Sequence, residues 1–248
     1  SMYRRARRLE DAERLVEKAL ELYPDDATFE ARRQLIREQD PEKQYAILLK
    51  VAEEYEPLQA ALEKAEVARR YGREEEYIEF LDQAAAIDAN APAVVDSLFR
   101  YALRKKDWQL AEECIERAEE ANLDGAEGRL YQMRMAMLQR DYDTVIATAL
   151  AVLQDNKSRK EARVGLAQAY LQKEMYEEAY KEFKIVADND PGYAPAAVGL
   201  AIVTANLGKE DEHRQYVYTA HRLAPRNEYV RREYLRYEQQ DASPEELI

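Results

Sequence analysis

Cysteine occurs once in this 248-residue chain, at Cys114, and histidine twice, at His213 and His221. A lone thiol excludes an internal disulfide and a thiolate-built metal cluster, and is compatible with a reducing cytosol. The histidines lie eight residues apart on one expected helix with no cysteine nearby, too few ligands for a metal site. Seven Gly and eight Pro leave no room for a flexible linker, and the scattered glycines form no phosphate-cradling loop. No stretch of about 18 apolar residues exists, so direct membrane insertion by a helix is not expected. Ser1-Met2 reads as a cloning remnant, and no signal peptide follows it.

Acidic residues outnumber basic ones, 50 to 37, for a net charge of −13. That balance argues against nucleic acid, whose binding rests on neutralising phosphates, and against an anionic membrane surface. The charges are interspersed rather than blocked, as expected of an ordered chain. Carboxylate runs such as Glu74-Glu75-Glu76, Glu112-Glu113 and Glu177-Glu178 read as solvated helical faces. Nothing pairs an acid with a base, and Cys114 has no histidine beside it to generate a thiolate. No catalytic residue and no cofactor is expected, and the chain does not read as an enzyme.

What is present is a period of 34 residues running through 58–227. One position reads Ala84, Ala118, Val152, Val186 and Ala220; another reads Leu81, Ile115, Ala149, Phe183 and Val217. Such a period marks stacked units, none of which can bury its apolar face alone. Within each unit the apolar residues recur at helical spacing in two bursts. In 160–193 the first carries Leu166, Ala167 and Tyr170, and the second Ala179, Phe183, Val186 and Ala187. Lys173-Glu174-Met175-Tyr176 between them is long enough only for an antiparallel hairpin, and Asp190-Pro191-Gly192 ends the second helix.

On these residues the chain resembles the tetratricopeptide repeat family, over about nine-tenths of its length. Unit 160–193 matches the family pattern at Leu166, Ala167, Tyr170, Ala179, Phe183 and Pro191; unit 194–227 matches at Leu200, Ala201, Gly208, Ala220 and Pro225. Unit 92–125 matches at Leu98, Ala111 and Ala118, with Trp108 where Tyr is usual, while 58–91 and 126–159 rest mainly on the period. His213 and Phe99 stand where the pattern has small residues, and Phe99 implies wider helix spacing there. Residues 1–24 read as a partial repeat, with 9–24 a second helix, and 27–57 as an irregular repeat about three residues short, whose second helix Pro41 opens. Residues 228–240 read as a terminal lone helix; Tyr234-Leu235-Arg236-Tyr237-Glu238 there also resembles half-a-TPR repeats of RNA-processing scaffolds. The expected fold is all-α, a single α-solenoid with right-handed superhelix over 1–248, built of about six to seven antiparallel helix pairs. Because the array starts and ends within a repeat, the chain is expected to be a piece of a larger protein, cytoplasmic or periplasmic.

The resemblance implies that the first helix of each unit lines a concave groove. The lining positions give Arg69, Arg70, Asp96, Arg100, Leu103, Arg104, Leu130, Tyr131, Arg134, Met137 and Leu138, then Val164, Gln168, Leu171, Val198, Gly199, Ile202, Ala205 and Asn206. The helix expected at 196–207 is apolar nearly all round. It is either covered by its neighbours or floors a trough for a partner helix or extended peptide. In the second reading the arginines hold acidic partner residues and Tyr131 is an aromatic anchor. Positions that grip chaperone tails in the family read Asp96/Arg100, Leu130/Arg134 and Val164/Gln168, which do not fit that role. The expected function is a non-catalytic scaffold for protein–protein interaction. The alternatives are an arm of a multidomain enzyme or exopolysaccharide-secretion protein, and self-association through the repeat ends.

Overall fold

A computed structural model describes residues 2–24, 26–121 and 126–241. Among them are fourteen α-helices and no strand. In order these are α1 (Met2–Leu22), α2 (Ala27–Arg37), α3 (Pro41–Ala52), α4 (Pro57–Arg70), α5 (Glu74–Ile87), α6 (Pro92–Lys105) and α7 (Trp108–Ala121). They are followed by α8 (Ala126–Gln139), α9 (Tyr142–Asp155), α10 (Lys160–Gln172), α11 (Tyr176–Asn189), α12 (Ala194–Asn206), α13 (Glu210–Leu223) and α14 (Glu228–Asp241). The chain forms two compact units, Ser1–Tyr101 and Ala102–Ile248. In the first, successive helices from α1 to α5 pack in sequence; in the second, those from α7 to α14 do. This is the α-solenoid arrangement, helix against helix in chain order.

The 34-residue period is visible in the backbone itself. Gly72, Lys106, Arg140, Glu174 and Gly208 all have φ between 57° and 71°, and each follows a first helix. In every case the next residue's N–H bonds the carbonyl five residues back. The pairs are Arg73 to Ala68, Asp107 to Ala102, Asp141 to Ala136, Met175 to Tyr170, and Lys209 to Thr204, at 2.9–3.0 Å. This is the Schellman stop: a left-handed residue turns the chain and satisfies carbonyls that the helix leaves open. The second helix then starts within a few residues, so the pair runs antiparallel. Second helices open on varied caps; Asp141, for example, accepts from the Thr144 N–H and hydroxyl at α9.

Small residues set how closely helices approach in the second unit. Leu130, Met133 and Ala136 of α8 pack with Val145, Ala149 and Val152 of α9 and with Ala162, Leu166 and Ala169 of α10. Val164 and Ala167 of α10 continue into Ala179, Phe183 and Val186 of α11 and Ala196, Leu200 and Val203 of α12. Two glycines are part of this fit. A Cβ on Gly199 would stand 2.4 Å from the buried Phe183 ring, and one on Gly165 would stand 2.5 Å from the Met133 sulfur. Met133 occupies a position where Ala167 and Ala201 are small in the next two units, and Gly165 makes room for it.

At the C-terminal end, His213 takes a small residue's place and is 98% removed from solvent, with 2% exposed. Its Nδ1 lies 2.7 Å from the Tyr237 hydroxyl, and its Nε2 lies 3.2 Å from that of Tyr229. Because Tyr237 donates to Glu210 Oε1 at 2.6 Å, its oxygen is left to accept, which places the proton on Nδ1. Nε2 then shares the single Tyr229 hydroxyl proton with the Ala201 carbonyl, 3.4 Å from that oxygen. This chain of bonds ties α13 and α14 to α12. Burial pushes the His213 pKa down against the opposing pull of Glu210 and Glu233, with Arg236 adding to the depression.

Three outcomes follow from these contacts. A residue other than glycine in the left-handed region costs roughly 1–2 kcal/mol. Glu174→Gly or Arg140→Gly is therefore expected to stabilise by about 0.5–1 kcal/mol in denaturant titration, whereas Gly72→Ala is expected to destabilise. Gly199→Ala overpacks against a rigid ring and is expected to lower the melting temperature by about 2–8 °C after its gain in helix propensity. Gly165→Ala meets a pliable thioether and should change it by much less. For His213, folding lowers the pKa, so its contribution is present above the unfolded value near about 6.5 and is lost as pH falls through the window below it. Melting temperature should fall between pH 7 and pH 5 in the wild type, and the profile of His213→Gln should be flatter.

Candidate functional site

In the second unit the first helices α8, α10 and α12 touch one another directly, α8 against α10 and α10 against α12. Of the residues that the repeat positions assign to a groove on these helices, Met137, Leu171, Val198 and Ile202 are half-buried, the first three also packed against the cores beneath, while Gln168 and Arg134 are exposed. Leu138 adds an apolar side chain 56% exposed. The polar groups among and beside these positions are Arg134, Gln168, Asn206, whose Nδ2 is bent back onto the Ile202 carbonyl at 2.9 Å, and Gln172, which accepts from Tyr142 at 3.4 Å. A row of accessible apolar side chains with sparse amides suits a partner that brings its own apolar side chains.

Not every residue read as groove lining reaches that face. Tyr131 and Val164 are each only 6% exposed. Val164 belongs to the core that joins α10 to α11 and α12, so it packs rather than lines. The Tyr131 ring is likewise inside, with the Arg134 guanidinium 5.9 Å from its centroid, so it presents little surface as an aromatic anchor. Gly199 sits under the Phe183 ring and is buried. For Val164 and Gly199 the physical reason is that neighbouring helices pack so closely that these first-helix positions turn into them. The arginines also have partners of their own. Arg100, in the first unit, pairs with Asp96 at 3.0 Å on the surface. Arg104, in the second, is exposed. The apolar helix α12 is mostly covered, with Ala196, Ala197, Leu200, Ala201, Val203 and Thr204 buried and Val198 and Ile202 half-buried, while Pro195, Ala205 and Asn206 are exposed.

Residue types alone did not reveal a clamp that recurs in both units. In the first, the Tyr45 hydroxyl donates to Glu76 at 2.7 Å, and the Arg73 guanidinium lies 4.3 Å over the Tyr45 ring and 2.8 Å from Glu76. In the second, Tyr180 donates to Glu212 at 2.6 Å, and Lys209 lies 4.1 Å over the Tyr180 ring and 3.5 Å from Glu212. Tyr and Glu are 31 and 32 residues apart, near one repeat, which was the signal available in the sequence. Burial and then Glu76 push the Tyr45 phenol up to about 12 and hold it as a donor.

Cys114 is fully buried, and burial raises its thiol to about 11, which leaves it protonated at neutral pH. Among the described residues no three His, Cys, Asp or Glu side chains are grouped to hold a metal ion, and no helix is long and apolar enough to cross a membrane.

No model of a known protein family matches the sequence, and no curated protein matches it. Solved structures do match the fold. A tetratricopeptide repeat protein from Parabacteroides merdae superposes with a TM-score of 0.69 at 12% identity, over 90% of each chain. Yeast Tom70 gives 0.69 at 16% identity over 94% of this chain and 51% of its own, so this chain spans about half its length. PilF of Pseudomonas aeruginosa gives 0.57 at 14% identity, over 94% of this chain and 99% of that one. Helix pairs in sequential packing, a left-handed stop every 34 residues and these superpositions agree: the chain has the tetratricopeptide-repeat fold.

Proposed function

We propose that the chain is a non-catalytic scaffold that binds another protein through the face shared by α8, α10 and α12. The observation that carries this reading is the accessible apolar set Met137, Leu138, Leu171, Val198 and Ile202 on three helices that touch in series. Isolated exposed apolar residues need no explanation, but a set on adjoining helices does. The helices beneath are fixed by buried cores, so little order is lost when a partner docks, and a modest contact area suffices. The fold supports the same reading, since its repeats are built to present an extended surface. The partner suited to the face is an amphipathic helix or an extended peptide whose apolar side chains meet this set. Gln168 is placed to hydrogen-bond such a partner's backbone.

A charge placed in this set should abolish capture without disturbing the helices. Leu171→Glu and Ile202→Glu are expected to keep wild-type circular dichroism and to lose, by about tenfold or more, binding of a partner recovered with the wild-type chain. Equal binding by Leu171→Glu and wild type would refute the reading.

A further inference from the structure

The first unit holds an open pocket of about 210 Å³ between α2, α3 and α4. It lies in the short repeat, whose α2 and α3 run for 11 and 12 residues where α4 and α5 each run for 14. Its floor is apolar, built from Leu35, Leu48 and Val67, and its rim carries Arg32 and Arg70, with Glu63 the one carboxylate in the lining. A cavity of about 150 Å³ already takes a benzene ring, so the space suits a branched aliphatic or phenyl side chain.

The rim says what should flank that side chain. Among the described residues no carboxylate lies within ion-pair distance of Arg32, whose guanidinium stands 5.8 Å from the Phe29 ring. Arg70 reaches Glu66 only at 3.5 Å, and Glu66 is already held by two shorter bonds from Arg69, at 2.7 and 2.8 Å. Both arginines are exposed and retain donors for a carboxylate. We propose that this pocket is a second docking site, for a partner segment in which a phenylalanine- or leucine-sized side chain is flanked by acidic residues. It lies wholly in the first unit and stands independently of the face on α8, α10 and α12.

The test titrates the isotope-labelled full chain with three acetylated and amidated synthetic peptides, followed by amide chemical shifts. They are Gly-Glu-Phe-Glu-Gly, Gly-Lys-Phe-Lys-Gly and Gly-Glu-Gly-Glu-Gly. The first should shift the amides of Leu35, Leu48 and Val67 and bind at least about tenfold tighter than the other two. Arg32→Ala and Arg70→Ala, both surface changes, should each weaken it by about two- to fivefold, while Leu171→Glu should leave it unchanged. The proposal is overturned if the three peptides bind alike, if the shifts fall outside the pocket, or if none is seen at millimolar concentration.

Discussion

Each of the five regular helix pairs depends on one backbone hydrogen bond, donated by the residue after a left-handed turn to the carbonyl five residues before it. That bond sets where the first helix stops and how the chain reverses, and therefore which residues of the second helix face the first. If the stop slipped by one residue, the second helix would rotate by about 100° and its small residues would leave the seam. Three of the five stops use Lys106, Arg140 and Glu174, which are strained there, whereas Gly72 and Gly208 are not. The strain persists because packing on both sides already determines the turn.

With the turn fixed, volume decides the rest. Ala167 and Ala201 let helices close up, and Phe183 fills the space that Gly199 leaves. Where the small residue is replaced, the surroundings compensate. Met133 is met by Gly165, and His213 by two tyrosine hydroxyls that satisfy both ring nitrogens. In the second case burial also biases the imidazole toward its neutral form. The pair of Tyr–Glu clamps works differently. Each joins consecutive second helices through one short hydrogen bond, with a cation resting on the ring. Partial burial makes such a bond stronger than the exposed ion pairs elsewhere on the surface.

Much of this was legible in the sequence, because a repeat converts position into environment. The helices, their pairing and most core residues follow from the 34-residue period, and Ala179, Phe183, Val186 and Leu200 lie in the core as their positions imply. The face was less legible. Positions that line a groove in the general pattern include Tyr131, Val164 and Gly199, yet these are buried, Val164 and Gly199 against neighbouring helices. Whether such a position opens to solvent depends on the bulk of a neighbour one unit away, and a one-dimensional pattern does not carry that. The pocket beside Arg32 was hidden for a related reason. A repeat three residues short announces an irregularity, but not that a pocket opens between α2, α3 and α4.

The net charge of −13 bears on how such a surface stays free of misplaced partners. Acidic residues crowd the starts of second helices, at Glu74-Glu75-Glu76, Glu177-Glu178 and Glu210-Asp211-Glu212, where they also complement the helix dipole. Charge placed there costs nothing at the first-helix face, which keeps its apolar side chains and amides. Because exposed charges are screened beyond roughly 8 Å at physiological ionic strength, these acidic ends act only locally. In the two proposals made above, selectivity comes from groups at the contact itself: on α8, α10 and α12 from the spacing of Met137, Leu171 and Ile202, and at the first unit's pocket from two arginines set on an acidic background.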